Sequence, residues 1–309
     1  MPVRRTRAGL AYGISAYVIW GFFPIYFGLL SAVNPLEVVP WRVSATLVFC
    51  ALIVTISRRW GRVLGIVRSP RQLGWFALSG IMLYANWQLF VVGVMTGHVI
   101  ETALGYFINP LFTILLGVVF RGERLTRLQW AAVSVAAVGV LIAAIAYGTV
   151  PWIALGLALT FGLYGLAHKA GGEAVDGITG LAIETLVTAP VGALQLVLIS
   201  ALTGLEAFSH GAAVSFFVLF SGVLTAVPLI LFGESARRLP LSYLGFVQFL
   251  TPIMSFLYGT LVLHEEMTSG RWIGFIAVWV ALVILIVDML GQLRRPPGGQ
   301  TNTEPVPLD

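Results

Sequence analysis

The chain has 309 residues, 58% hydrophobic and only 10% charged, with a mean hydropathy of +0.94. A soluble domain carries about a quarter charged residues to cover its surface, so a water-facing globule is excluded and hydrocarbon is the implied solvent. The formal net charge is +5, but the basic residues, all Arg except Lys169, sit in short connectors between apolar runs. That spread reads as membrane topology rather than a nucleic-acid face.

In chain order, Arg4, Arg5 and Arg7 precede an apolar run from Gly9 to Leu30. The run exceeds the roughly 7–15 residues of a signal-peptide core, which predicts an uncleaved first span. A membrane helix needs about 20 apolar residues. Ten runs qualify: Gly9–Leu30, Leu36–Ile56, Leu73–Met95, Thr102–Phe120, Leu128–Tyr147, Pro151–Ala167, Gly177–Leu202, Ala212–Phe232, Leu241–Leu263 and Trp272–Leu290. The tight connectors predict antiparallel neighbours. From residue 292 onward a Pro/Gly-rich polar tail reads as disordered and cytoplasmic. Cys50 stands alone, so no disulfide framework is expected.

With the N-terminus placed in the cytoplasm, every basic residue falls in a cytoplasmic segment except Arg42 and Arg271. Arg42 lies within the second span; Arg271 lies at the outer start of the last. This predicts both termini inside and a multi-pass protein of a bacterial plasma (inner) membrane.

The sequence also matches itself. At a shift of 142 residues Gly80 falls on Gly222, Phe90 on Phe232, Pro110 on Pro252, Gly117 on Gly259, Glu123 on Glu265, Thr126 on Thr268 and Trp130 on Trp272. Five spans per copy is an odd number, so the second copy threads the bilayer in the opposite direction. The expected fold is therefore an all-α integral membrane protein of ten transmembrane helices in two inverted five-helix repeats, 1–148 and 149–291. Inverted repeats of this kind support alternating access around a site near the midplane.

The stretches Tyr17 to Pro24, Asn86 to Phe90, Leu104 to Pro110, Gly122-Glu123-Arg124 and Leu244 to Pro252 resemble the drug/metabolite transporter superfamily. Within it they resemble the EamA-like family and its RarD-type permeases. The resemblance covers nearly the whole chain except the tail. It implies a transporter fold whose central cavity is lined mainly by helices other than the fifth and tenth. The second copy departs from Gly-Glu-Arg, reading His264-Glu265-Glu266.

The residues that would carry transport are polar, aromatic or helix-breaking groups inside spans. Arg42 and its shifted counterpart Glu184 are charges in hydrocarbon, which demand a partner, a wet cavity or a snorkelling route. The functional reading gives Arg42 an anionic group of the solute and Glu184 a cation or proton; the alternative is structural anchoring. Asn86, Trp87, Tyr106, Asn109 and Gln248 offer amides beside flat rings, suited either to a small organic ligand or to bonds between helices. Trp20 and Tyr164 are expected to wall the cavity. Pro110, Pro252, Pro24 and Pro228 interrupt backbone hydrogen bonding and are read as hinges or packing kinks. Glu123 and Glu265 precede new helices at Thr126 and Thr268 and are read as structural caps for those starts.

His98, His168, His210 and His264 have no metal-ligand spacing, and neither a phosphate-binding Gly-rich loop nor a GxSxG element is present. No cofactor or metal is expected, and no enzymatic activity. The implied partners are the lipid bilayer, a small-molecule solute and, where flux is ion-driven, a coupling proton or ion. The competing functions are a non-transporting receptor or scaffold and an intramembrane enzyme. Neither calls for two oppositely threaded halves.

Overall fold

The computed structural model describes residues 3–121, 125–147, 150–172, 175–236, 238 and 247–294, and the described elements are all helices. In chain order they are α1 (Val3–Gly21), α2 (Phe23–Gly28), α3 (Pro35–Ile56), α4 (Trp60–Val67), α5 (Pro70–Met95) and α6 (Val99–Arg121). There follow α7 (Arg127–Tyr147), α8 (Trp152–Gly171), α9 (Gly177–Leu202), α10 (Ala212–Ala236), α11 (Leu250–Leu261) and α12 (Ser269–Arg294).

Local chemistry sets several of these boundaries. Helix α3 starts with Pro35, whose missing N–H costs nothing at a first turn, and Asn34 caps it by accepting from Leu36 N–H at 3.0 Å. Asp176 caps α9, accepting from Thr179 N–H at 3.1 Å. The first expected span is not one helix: it breaks at Phe22, and Pro24 falls in the first turn of α2. The ninth differs too. Its described helix starts at Leu250 after a turn at Phe249, so Pro252 lies in the first turn of that helix, whereas Pro110 lies inside α6; residues 241–246 lie outside the described residues.

Helix α4 was not expected. Its eight residues are too short to span a bilayer, but Val63 and Ile66 turn inward while Trp60 and Leu64 remain exposed. Helix α12 continues to Arg294, so the chain is still helical where the polar tail was expected to begin. The remainder of that tail, and Glu123, lie outside the described residues.

Six described stretches are long and apolar enough to cross a membrane: Ala8–Gly28, Pro35–Ile56, Pro70–Met95, Gly177–Leu202, Ala212–Phe232 and Ser269–Asp288. The burial pattern is inverted relative to a soluble protein. Val48, Ile145 and Val197 point outward, whereas Arg42 and Glu184 are 2% and 1% exposed. An apolar exterior around a few buried charges is what lipid demands.

Helices α3 and α9 pack together, as do α7 and α12, and α6 and α11. Helix α8 packs on α5 and α6, α1 packs on α10 and α11, and α10 and α9 rest on α3 and α5 respectively. Two of these crossings require glycine. A Cβ on Gly80 of α5 would stand 2.9 Å from the Glu184 carbonyl oxygen of α9, and one on Gly222 of α10 would stand 2.5 Å from the backbone of Ala45 in α3.

Candidate functional site

Two buried charges occupy these crossings. Arg42 projects from α3 into a junction with α2, α5 and α10. Its guanidinium carbon lies 4.4 Å from the centre of the Trp87 ring, 5.2 Å from Phe27 and 5.4 Å from Phe23. Such faces attract a cation most strongly where water is excluded. Nε donates to the Thr225 hydroxyl oxygen at 2.6 Å, and that hydroxyl donates in turn to the Ser221 carbonyl at 2.8 Å. Nη1 is buried without a hydrogen-bond partner among the described residues. An open donor on a buried charge is costly unless something else occupies it.

Glu184 projects from α9 towards α5 and α8. Its Oε1 accepts from the Ser79 hydroxyl at 2.5 Å and lies 2.7 Å from His168 Nδ1. Among the described residues Arg42 and Glu184 form no ion pair: each is held by groups of its own. Tyr164 lies tilted against the His168 ring at 5.6 Å and Phe76 meets that ring edge-on at 5.4 Å.

The other expected residues divide between the cage and the joints of the bundle. Trp87 forms the closest face of the Arg42 cage. Asn86 is engaged elsewhere: its amide nitrogen donates at 3.0 Å to the Leu157 carbonyl and to the Thr160 hydroxyl, and its oxygen accepts from Tyr106 at 3.5 Å. That geometry ties α5 to α8 and α6. Trp20 packs 5.0 Å from Tyr17 and 6.0 Å from Phe232, between α1 and α10. Asn109 is buried in α6, Gln248 is half-buried just before α11, and Pro24, Pro228 and Pro252 are buried.

Glu265 caps a helix, but not the one expected. Its carboxylate accepts from Val99 N–H at 2.9 Å and Ile100 N–H at 3.1 Å, the first turn of α6, instead of from the start of α12. The physical reason is packing: α6 and α11 lie side by side, which brings the connector after α11 over the exposed N–H groups of α6. Burial pushes this carboxyl up, and those two N–H bonds oppose the rise. Glu101 does the same for Ile153 and Ala154 at the start of α8, and Glu37 accepts from Glu206 and Ala207 N–H at 2.8 and 2.9 Å.

At the other end of the bundle Arg59 and Arg62 each reach Asp176 at 3.0 Å. Burial alone would raise the Asp176 carboxyl. The Thr179 hydrogen bonds and the two guanidinium groups outweigh it and hold the group below the ordinary carboxylate range. A cleft of about 490 Å³ opens here, beside Gln72 and Asp176, and one of about 260 Å³ opens beside Glu101 and Glu265. Neither of these two clefts is lined by Arg42 or Glu184.

The EamA-like transporter profile matches residues 7–145 and again residues 149–287. The chain belongs to the EamA-like transporter family. A RarD protein of Streptomyces exfoliatus is 42% identical over 94% of this chain and 91% of its own length. A protein of Vibrio cholerae described as a transporter is 40% identical over 92% of this chain and 93% of its own. One solved crystal structure shares the fold, with a TM-score of 0.61 at 16% identity across 91% of this chain and 98% of that one. As an EamA-like, RarD-type permease the chain is a multi-pass membrane transporter, and the buried charges of its bundle sit inside a lipid-facing shell.

The EamA-like sequence did not announce every group that holds the two buried charges. His168 was weighed only as a metal ligand, and Ser79, Thr225, Phe23 and Phe27 were not singled out. The available signal was the repeat: Gly80 and Gly222 are shifted counterparts, and Ser79 and Ser221 stand immediately before them.

Proposed function

We propose that the protein is a secondary transporter of a small organic solute, working by alternating access between two inverted five-helix halves, and that Arg42 receives an anionic group of the solute. The single observation that carries this reading is the buried guanidinium with an unoccupied Nη1, walled by Trp87, Phe27 and Phe23. Fixed donors take the anion and flat faces take the apolar body. Thr225 comes from the second half and the three rings from the first, so the site spans the two parts that would move.

The packing supports the inverted repeat. Exchanging the spans of one half for those of the other turns α5·α8 into α10·α1, α6·α8 into α11·α1, and α3·α10 into α9·α5, all of which are observed. The pairs α3·α9, α6·α11 and α7·α12 map onto themselves. The two profile matches fall on the same halves. In this reading the chain crosses a bacterial inner membrane ten times, with both termini and the Arg59–Arg62 end in the cytoplasm.

Flux tests the proposal. Proteoliposomes containing only this protein, screened against labelled metabolites and drugs, should accumulate at least one anionic solute. Arg42→Ala should lower that flux by about a hundredfold while leaving folded yield within about twofold. Full transport by Arg42→Ala removes the arginine from the site, and loss of folded protein makes it an anchor. Cys at Asn34 should label from outside with an impermeant thiol reagent and Cys at Gly65 should not; the reverse pattern overturns the orientation.

A further inference from the structure

The Glu184 crossing contains a group that solute binding at Arg42 does not use. His168 lies three residues before the end of α8 at Gly171, so about 4.5 Å of helix separates it from that end. The Gly171 carbonyl accepts from Gln72, which also lines the cleft beside Asp176 and Arg62. The imidazole is 29% exposed and Glu184 is 2% exposed, yet only 2.7 Å separates Nδ1 from Oε1. One partner is therefore partly exposed close to the end of α8 while the other is sealed within the bundle. The imidazole cannot turn freely: Phe76 and Tyr164 flank it, and a Cβ on Gly180 would meet its Cε1 at 2.9 Å.

We propose that His168 and Glu184 together form one proton-binding site, filled from the Arg59–Arg62 end, and that this proton is the coupling ion of the transporter. The coupling role rests on the transport reading above; the site itself does not. Before loading, neutral His168 donates its Nδ1–H to the Glu184 carboxylate, and the pair carries a charge of minus one. A proton from water then bonds to the Nε2 lone pair, and the Nδ1 proton is shared more fully with Oε1. No bond other than N–H or O–H changes, and the pair becomes net neutral. A net-neutral pair costs less to bury than a single charge.

Ser79 of α5 donates to Oε1, and Cys50 of α3 and Tyr164 of α8 stand within electrostatic range of Glu184. Among the described charged groups on neighbouring elements, Arg59, just before α4, and Arg62, within it, are held by Asp176, and Glu234 of α10 is paired with Arg238. On α6, Glu101 is committed to the far end of α8.

The test counts protons on purified full-length protein in lipid nanodiscs, without solute, as the pH is lowered from about 8 to about 5. A joint site predicts that Glu184→Gln takes up one proton fewer per chain than wild type, His168→Asn one fewer, and the double variant also one fewer. Uptake by Glu184→Gln equal to wild type would show that His168 titrates alone, and a loss of two in the double variant would show two independent groups; either overturns the proposal. Should Glu184→Gln not fold, Ser79→Ala decides. Removing a donor to the carboxylate should move the one-proton step to higher pH by about half a unit or more, and an unmoved step overturns the joint site. Because no solute is present, failure here leaves the flux reading standing, and failure of flux leaves this count intact.

Discussion

Arg42 and Glu184 occupy matching crossings, α3 with α10 and α9 with α5, and they solve the same problem in opposite ways. Both bury a full charge where hydrocarbon surrounds the bundle. The arginine leans on three aromatic faces and one hydroxyl and leaves Nη1 open. The glutamate has Oε1 occupied by a serine and a histidine. A diffuse cation can be stabilised by polarisable faces that ask nothing of its N–H groups, whereas a carboxylate needs real donors. Under the proposed function, the difference separates a charge left open to a solute from one already engaged by protein groups.

The largest effects should come from the glycines beneath each charge. Gly222→Ala places a Cβ 2.5–2.6 Å from three atoms of Ala45 and Thr46, two of them backbone. It should cost about 3 kcal/mol, read as a fall in thermal midpoint in detergent. Gly80→Ala meets Glu184 backbone at 2.9–3.3 Å and should cost less, about 2 kcal/mol. An equal or reversed order would mean that the two crossings are not built alike.

Next come the partners of the charges. Thr225→Val strips Nε of its acceptor and should destabilise by about 2 kcal/mol, because a buried charged donor is left unpaired. Trp87→Phe keeps an aromatic face near Arg42 but a weaker one than the indole, for about 1 kcal/mol. If Trp87→Phe proves the more damaging, the rings hold the guanidinium and the hydroxyl merely orients it.

The smallest effect belongs to the Asp176 clasp. Asp176→Ala removes the α9 cap together with the Arg59 and Arg62 contacts and should cost about 1 kcal/mol. The native carboxyl is held below its ordinary range, so its contribution is complete above that range and disappears as pH falls through the lower native value. Wild type should therefore lose stability relative to Asp176→Ala on acidification and not on alkalinisation.

Much of this architecture was legible in the residues. Hydropathy and Arg placement located the apolar runs, and the self-match paired Arg42 with Glu184 before either had a neighbour. What could not be read was who faces whom across helices distant in sequence. Thr225 lies 183 residues from Arg42 and Ser79 lies 105 from Glu184, and no periodicity reports such a pairing. Asn86 was legible as either a ligand group or a bond between helices, because an amide in a span must bond something; its partners, Leu157, Thr160 and Tyr106, make it a bond between helices. Glu265 had the chemistry of a cap, but sequence proximity pointed to the wrong helix. The α4 helix escaped because its eight residues sit in a connector rich in Arg.

The carboxylates Glu37, Glu101 and Glu265 share one more property. Each joins a stretch before residue 148 to one after it, and each grips main-chain N–H groups and no side chain of its target. A latch that recognises only backbone is blind to the identity of the residues it closes on. The latch itself sets no demand on the side chains at positions 99, 100, 153, 154, 206 and 207; burial alone constrains Val99, Ile100, Ile153, Ala154 and Ala207, whereas the three acids are fixed by the latch. Chimeras joining the first half of one relative to the second half of another should still fasten at this end, provided that each contributes its own glutamates.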